Sequence, residues 1–206
     1  MTPSATRDGR RLRGARTRAA VVERAAALAS AEGLEAVSLG ALAADLGISK
    51  SGVFAHFGSK EDLQLATVDH AREVFLERVV RPALRAPRGL PRLRALCDAW
   101  LAYAEDEVFP GGCFFAAAAA EFDGRPGPVR DRIAAAVAEW RRFLAEAVAR
   151  AQQEGDADPA ADPEQVAYEL DAVVQLANRD YQLHRDPTAF ARARRAVADR
   201  LARLAV

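Results

Sequence analysis

The chain has 206 residues, half of them apolar, and its 29 basic and 29 acidic residues give a formal net charge of zero. That is enough chain to bury a sizeable core and too apolar a composition for a wholly unfolded protein. No apolar run approaches membrane-spanning length and no signal-peptide pattern opens the sequence, so a soluble cytoplasmic protein without a membrane partner is expected.

The elements predicted in chain order are helices. Ala, Leu, Arg and Glu dominate, apolar residues recur at helical spacing, and no run of alternating β-branched residues occurs, so the expected fold is all-α with about nine helices. Residues 1–16 read as a disordered basic arm. A first helix is expected from about Thr17 to Glu32, stopped by Gly33, and a short one from Ser38 to Leu46, closed by Gly47. Ser49 is placed to cap a third helix reaching His56, and Ser59-Lys60-Glu61-Asp62 forms a capping box for a long helix expected to end before Pro82. Pro82, Pro87 and Pro91 mark a linker. Further helices are expected around Leu93–Ala104, from Cys113 to Phe122, and from about Ile133 to Glu154, the last two separated by a loop at residues 124–128. Asp162-Pro163 and Asp186-Pro187 open the final two. A boundary near residue 60 divides a small amino-terminal domain (17–60) from a larger helical one (61–206).

Zero net charge conceals an asymmetry across that boundary. Residues 1–60 hold nine Lys/Arg against five Asp/Glu, a net +4, while residues 61–206 hold twenty against twenty-four, a net −4. A basic head on an acidic body favours contact with a polyanion at one end. The only two lysines, Lys50 and Lys60, both fall in the head.

The stretch LAADLGISKSGVFAHFGSKEDL, Leu42 to Leu63, carries the most information. Two short helices joined by a Gly-containing turn, with Leu42, Ala43, Leu46, Ile48 and Val53 able to pack them together, make a helix-turn-helix. With Phe54-Ala55-His56-Phe57 and Ser59-Lys60-Glu61-Asp62-Leu63 following, the sequence resembles the TetR family of transcriptional regulators, over residues 17 to 70. The resemblance implies double-stranded DNA as partner, with the second helix of the motif in the major groove. It carries over Lys50, Ser51, Gly52, Phe54, Ala55, His56 and Lys60 as DNA-contacting candidates, with Ser38 and Ser49 as phosphate donors at helix starts. The family usually has Tyr where Phe54 stands, which removes one hydroxyl contact. Arg7, Arg10, Arg11, Arg13, Arg16 and Arg18 form either a minor-groove arm or a solvated tail.

In the body, Trp100, Tyr103, Phe114, Trp140 and Phe143 are either core or, as the resemblance implies, walls of a pocket for a small apolar or aromatic effector. Gln175 and Asn178, on a face shared with Asp171, are either polar anchors of that pocket or part of a solvated or subunit-facing stripe, and Cys113 is a candidate ligand contact, sensor thiol or nucleophile. Val173, Tyr181, Phe190, Val197, Leu201 and Leu204 lie on the last two helices with heptad-like spacing. The resemblance makes them a homodimer interface. No phosphate loop, HExxH, Ser/His/Asp arrangement or metal-ligand cluster is present, His70 and His184 stand alone, and no cofactor is expected. The competing reading from another class is an all-α small-molecule-binding protein or a cysteine-dependent enzyme using the aromatic pocket.

Overall fold

The computed structural model describes residues 4–206, with side chains from Leu12 onward; the expected contacts of Arg7, Arg10 and Arg11 lie outside the described residues. Among the described residues there are nine helices and no strand, the only β pairing being an isolated bridge between Ala157 and Ala205. The helices are α1 (Ser4–Glu32), α2 (Leu39–Asp45), α3 (Lys50–Phe57), α4 (Lys60–Phe75, prolonged through Leu76–Val80 and Arg81–Ala83), α5 (Leu90–Glu105), α6 (Phe114–Phe122), α7 (Pro128–Gln153), α8 (Pro163–His184) and α9 (Thr188–Leu204).

Local chemistry sets most of these boundaries. Ser38, Ser49 and Ser59 each adopt extended backbone and accept a main-chain N–H from the first turn of α2, α3 and α4, satisfying donors the helices cannot. Asp162 does the same for α8, where Pro163 follows in the first turn. Three boundaries differ from expectation. Helix α7 begins at Pro128, five residues ahead of Ile133, with the proline in its first turn. Helix α1 reaches back to Ser4, so Arg13 and Arg16 lie on a helix rather than in a disordered arm. Helix α4 does not stop before Pro82; its ladder widens into a π turn over Leu76–Val80, where the N–H of Arg81 bonds the carbonyl of Leu76. A proline lacks the donor and crowds the carbonyl four residues earlier, and the wider turn absorbs that mismatch without ending the helix.

Helix α1 packs on α4 and on the small helices α2 and α3, forming the amino-terminal head. Val21, Ala25, Leu34, Leu42, Val53 and Leu63 close its core, all buried. In the body α8 packs between α7 and α9, and α5 lies against both α8 and α9. Phe190, Val197, Leu201 and Leu204 of α9 are at most 2% exposed. Their heptad-like row is therefore filled by the protomer's own core, and the four are not surface residues awaiting a partner. Each such burial is worth about 1.5–3 kcal/mol. Of the other two expected interface residues, Val173 is half-buried against the core, and half-buried Tyr181 packs on Phe190 with its ring centroid 4.9 Å away.

Candidate functional site

The face of the head that bears α3 is polar and open. Ser38, Ser49, Lys50, Ser51, Phe54 and Ala55 are exposed, while Gly52, His56 and Lys60 are half-buried. Lys50, Ser51, Phe54 and Ala55 recur at one and four residues, which on an α-helix is a single face. Phe54 is 55% exposed, an unusual position for a phenyl ring unless something covers it. Ser49 anchors the start of this helix, its Oγ accepting the Gly52 N–H at 3.0 Å and the Ser51 hydroxyl at 3.3 Å. His56 lies beside Gly14 of α1, and the Arg18 guanidinium sits 5.1 Å from the centroid of the Phe57 ring, so α1 and α3 are pinned together on the same side.

Lys60 is differently disposed. Its ammonium donates to both the main-chain carbonyl and the carboxylate of Glu35, each at 2.6 Å. The lysine proposed for phosphate contact is engaged at the hinge between α1 and α2. Gln64 adds a bond to the Glu35 carboxylate at 3.0 Å, and these donors hold the Glu35 carboxyl below its usual range. From the body, the carboxylate of Glu121 at the end of α6 accepts the Leu34 N–H at 2.6 Å and the Glu35 N–H at 3.0 Å. Gly111 meets the end of α1 so closely that a Cβ there would lie 1.8 Å from the Ser30 carbonyl oxygen. Head and body are thus joined by hydrogen bonds and by main chain on main chain.

Within the body is a cavity of about 220 Å³. Of the residues expected to line it, Trp100, Cys113, Trp140, Phe143 and Gln175 do so. Leu76 and Val80 from the π turn of α4, Phe75 just before it, Phe115, and Ala136 and Val137 of α7 complete its apolar wall. Tyr103, Phe114 and Asn178 are not part of the lining. Tyr103 and Phe114 are buried core residues, and Asn178 accepts the Cys113 N–H at 2.9 Å and so secures the start of α6. Charges near the cavity are paired: Arg72 grips Glu139 through Nε at 2.8 Å and a terminal nitrogen at 2.5 Å, and Arg141 lies 3.3 Å from Asp171. Burial raises the Asp171 carboxyl above its ordinary value.

Sequence reasoning missed Glu121, Glu35 and the Arg72–Glu139 pair, all of which act across long stretches of chain. One local signal existed: Glu121 is an isolated acid after five alanines, at a helix end. Burial pushes the Cys113 thiol up, away from the thiolate that nucleophilic chemistry requires, and buried Cys97 is pushed up to about 12. Both cysteines are free. No group of His, Cys, Asp and Glu among the described residues has metal-holding geometry, and no helix among them is long and apolar enough to cross a membrane.

The model for bacterial regulatory proteins of the tetR family matches residues 21–67, and that for the tetracyclin repressor-like C-terminal domain matches residues 89–197. The chain belongs to the TetR family. It is a ligand-responsive, DNA-binding transcriptional regulator of the helix-turn-helix class. Solved TetR structures resemble it along most of its length. A TetR transcriptional regulator from Chloroflexus aurantiacus is 28% identical, with a TM-score of 0.87 over 94% of this chain and 98% of that one. A TetR-family regulator from Agrobacterium tumefaciens is 21% identical, with a TM-score of 0.82 over 94% and 100%. AibR, solved in complex with isovaleryl coenzyme A and operator DNA, shares the fold at 24% identity and a TM-score of 0.71, over 88% and 96%. Comparison with curated proteins gives no match.

One apolar surface of this TetR protein has no cover within the protomer. Tyr168, Leu176 and Leu183 of α8 are 58%, 48% and 72% exposed. With Ala172 and Arg179 between them they form one stripe along the helix.

Proposed function

We propose that the protein is a homodimeric repressor that binds a palindromic operator and is released from it by a small apolar effector held in the body cavity. The observation that carries this reading is the pairing of an open, serine-anchored α3 face with an apolar cavity whose wall includes the irregular turn of α4, the helix that also begins at the head. Residues 17–60 serve as the DNA-binding domain and 61–206 as the effector and dimer domain. Lys50 and Ser51 suit phosphate oxygens, Ala55 and Phe54 suit apolar base edges such as the thymine methyl, and the N–H-rich starts of α2 and α3 at Ser38 and Ser49 suit phosphates. Gly52 allows close approach of the helix to DNA, and half-buried His56 offers a ring nitrogen beside it. Lys60 acts through Glu35 in setting the head's angle.

The exposed stripe of α8 is the surface we assign to the second copy of the chain. A twofold axis beside it is self-complementary and sets two α3 helices side by side, which calls for half-sites separated by about 10 bp or a multiple of it. An effector that fits only one setting of α4 shifts the population toward that setting, and it lowers operator affinity by no more than that preference.

Selection of binders from random duplex DNA tests the reading directly. Enrichment of one palindrome at moderate salt is expected; no preference among duplexes would overturn it. Repeating the binding with small apolar compounds then identifies those that release the DNA.

A further inference from the structure

The walls of the body cavity specify more than an apolar occupant. Two positive and two negative side chains lie on or just behind them: Arg72 is held by Glu139, and Arg141 by one oxygen of Asp171, whose Oδ1 is buried without a partner. An anion would enter without a counter-charge, a cation would find only the Asp171 carboxyl, which burial pushes toward its neutral form, and either would give up its hydration for aromatic and aliphatic surface. The volume is also restrictive. A single benzene ring suits a cavity of roughly 150 Å³, so about 220 Å³ accepts one substituted ring or a small fused pair.

Polar opportunities are few and local. The indole N–H groups of Trp100 and Trp140 are buried with no acceptor, although both residues line the cavity. Gln175 is half-buried and borders both this cavity and the surface groove beside Gly111, Leu176 and Arg179, so its amide stands between the cavity and the outside. A hydroxyl both donates and accepts, and can serve an amide oxygen and an indole N–H together.

Resting on the reading of this cavity as the effector site, we infer that the effector is a neutral one- or two-ring aromatic carrying a single hydroxyl-type group, with Gln175 as its selecting residue. Edge-to-face packing around Phe75, Trp100 and Trp140, with centroids 4.9–6.1 Å apart, presents ring faces suited to a further aromatic ring.

The test exploits the fact that the chain's only two tryptophans both line the cavity. Tryptophan emission of the full chain is titrated with p-cresol, toluene, benzoate and benzamidinium, four probes of similar size. The expected result is that p-cresol perturbs the emission at the lowest concentration, toluene follows, and the two ions bind at least about a hundredfold more weakly. Gln175→Leu should abolish the preference for p-cresol over toluene while leaving toluene binding in place. Val137→Phe, which fills the cavity, should abolish both. Tighter binding of either ion overturns the neutral class while leaving the effector cavity intact. Equal binding of p-cresol and toluene to the unaltered chain overturns the role of Gln175. If none of the four perturbs the emission, the effector reading of the cavity itself falls.

Discussion

Replacing Glu121 with alanine removes the only carboxylate that reaches from α6 into the turn between α1 and α2. Two main-chain donors lose their acceptor, Leu34 at 2.6 Å and Glu35 at 3.0 Å. Hydrogen bonds to a charged acceptor contribute about 1.5–3 kcal/mol each when both groups are sheltered. Here the Glu35 N–H is open to water, which takes over much of its bond, whereas Leu34 is fully buried and its N–H is poorly served by solvent. The expected loss is therefore about 2 kcal/mol, well short of twice the sheltered value. In urea, with a slope of roughly 2–3 kcal/mol per molar for a chain of this size, the midpoint should fall by about 0.7–1 M with little change of slope. Glu121→Gln should fall between, because its amide keeps one acceptor but turns an NH₂ group toward a second donor. A midpoint within about 0.2 M of the parent for Glu121→Ala would refute the view that this carboxylate joins head to body.

Four further perturbations separate the roles assigned above. Lys50→Ala should lower the log–log salt slope of operator binding by about 1. Lys60→Ala should leave that slope unchanged while weakening binding, because its ammonium is committed to Glu35; a drop in slope would return Lys60 to the phosphate contacts. Leu176→Asp combined with Leu183→Asp should give monomers in analytical ultracentrifugation and cost operator affinity, and a persistent dimer would move the subunit contact elsewhere. Asp171→Asn should be neutral or stabilising at pH 7. The raised carboxyl means the native state holds its proton more tightly than the unfolded chain, so the parent carries a penalty at neutral pH that is relieved as pH falls toward that raised value. The variant should lose this part of the pH dependence in thermal melts, and a clear destabilisation at pH 7 would show instead that the Arg141 pair outweighs the burial.

What could be read from the sequence was what is decided locally. The serine caps of α2, α3 and α4, the Asp-Pro start of α8 and the helix-turn-helix core all depend on residues within four or five positions of one another. The errors have physical causes of the same kind. Pro82 is a reliable helix stop by local rules, but the packed apolar face of α4 carries the helix through it by widening one turn. The spacing of Phe190, Val197, Leu201 and Leu204 is correct for an apolar face, yet spacing cannot tell whether that face meets α5 and α8 of the same chain or a second subunit. Of the aromatic candidates, Trp100, Trp140 and Phe143 border the cavity while Tyr103 and Phe114 are core, a distinction set by helix rotation that composition does not encode. The Glu121 bonds to Leu34 and Glu35 span 87 and 86 positions, and only the assembled fold brings them together.

That long-range anchorage changes what the amides of a surface turn can report. A main-chain N–H in such a turn ordinarily takes up deuterium quickly, but at Leu34 and Glu35 uptake requires the carboxylate of α6 to let go. The two positions therefore form a built-in gauge of whether the first three helices are docked, readable by deuterium exchange and mass spectrometry without an attached dye or operator.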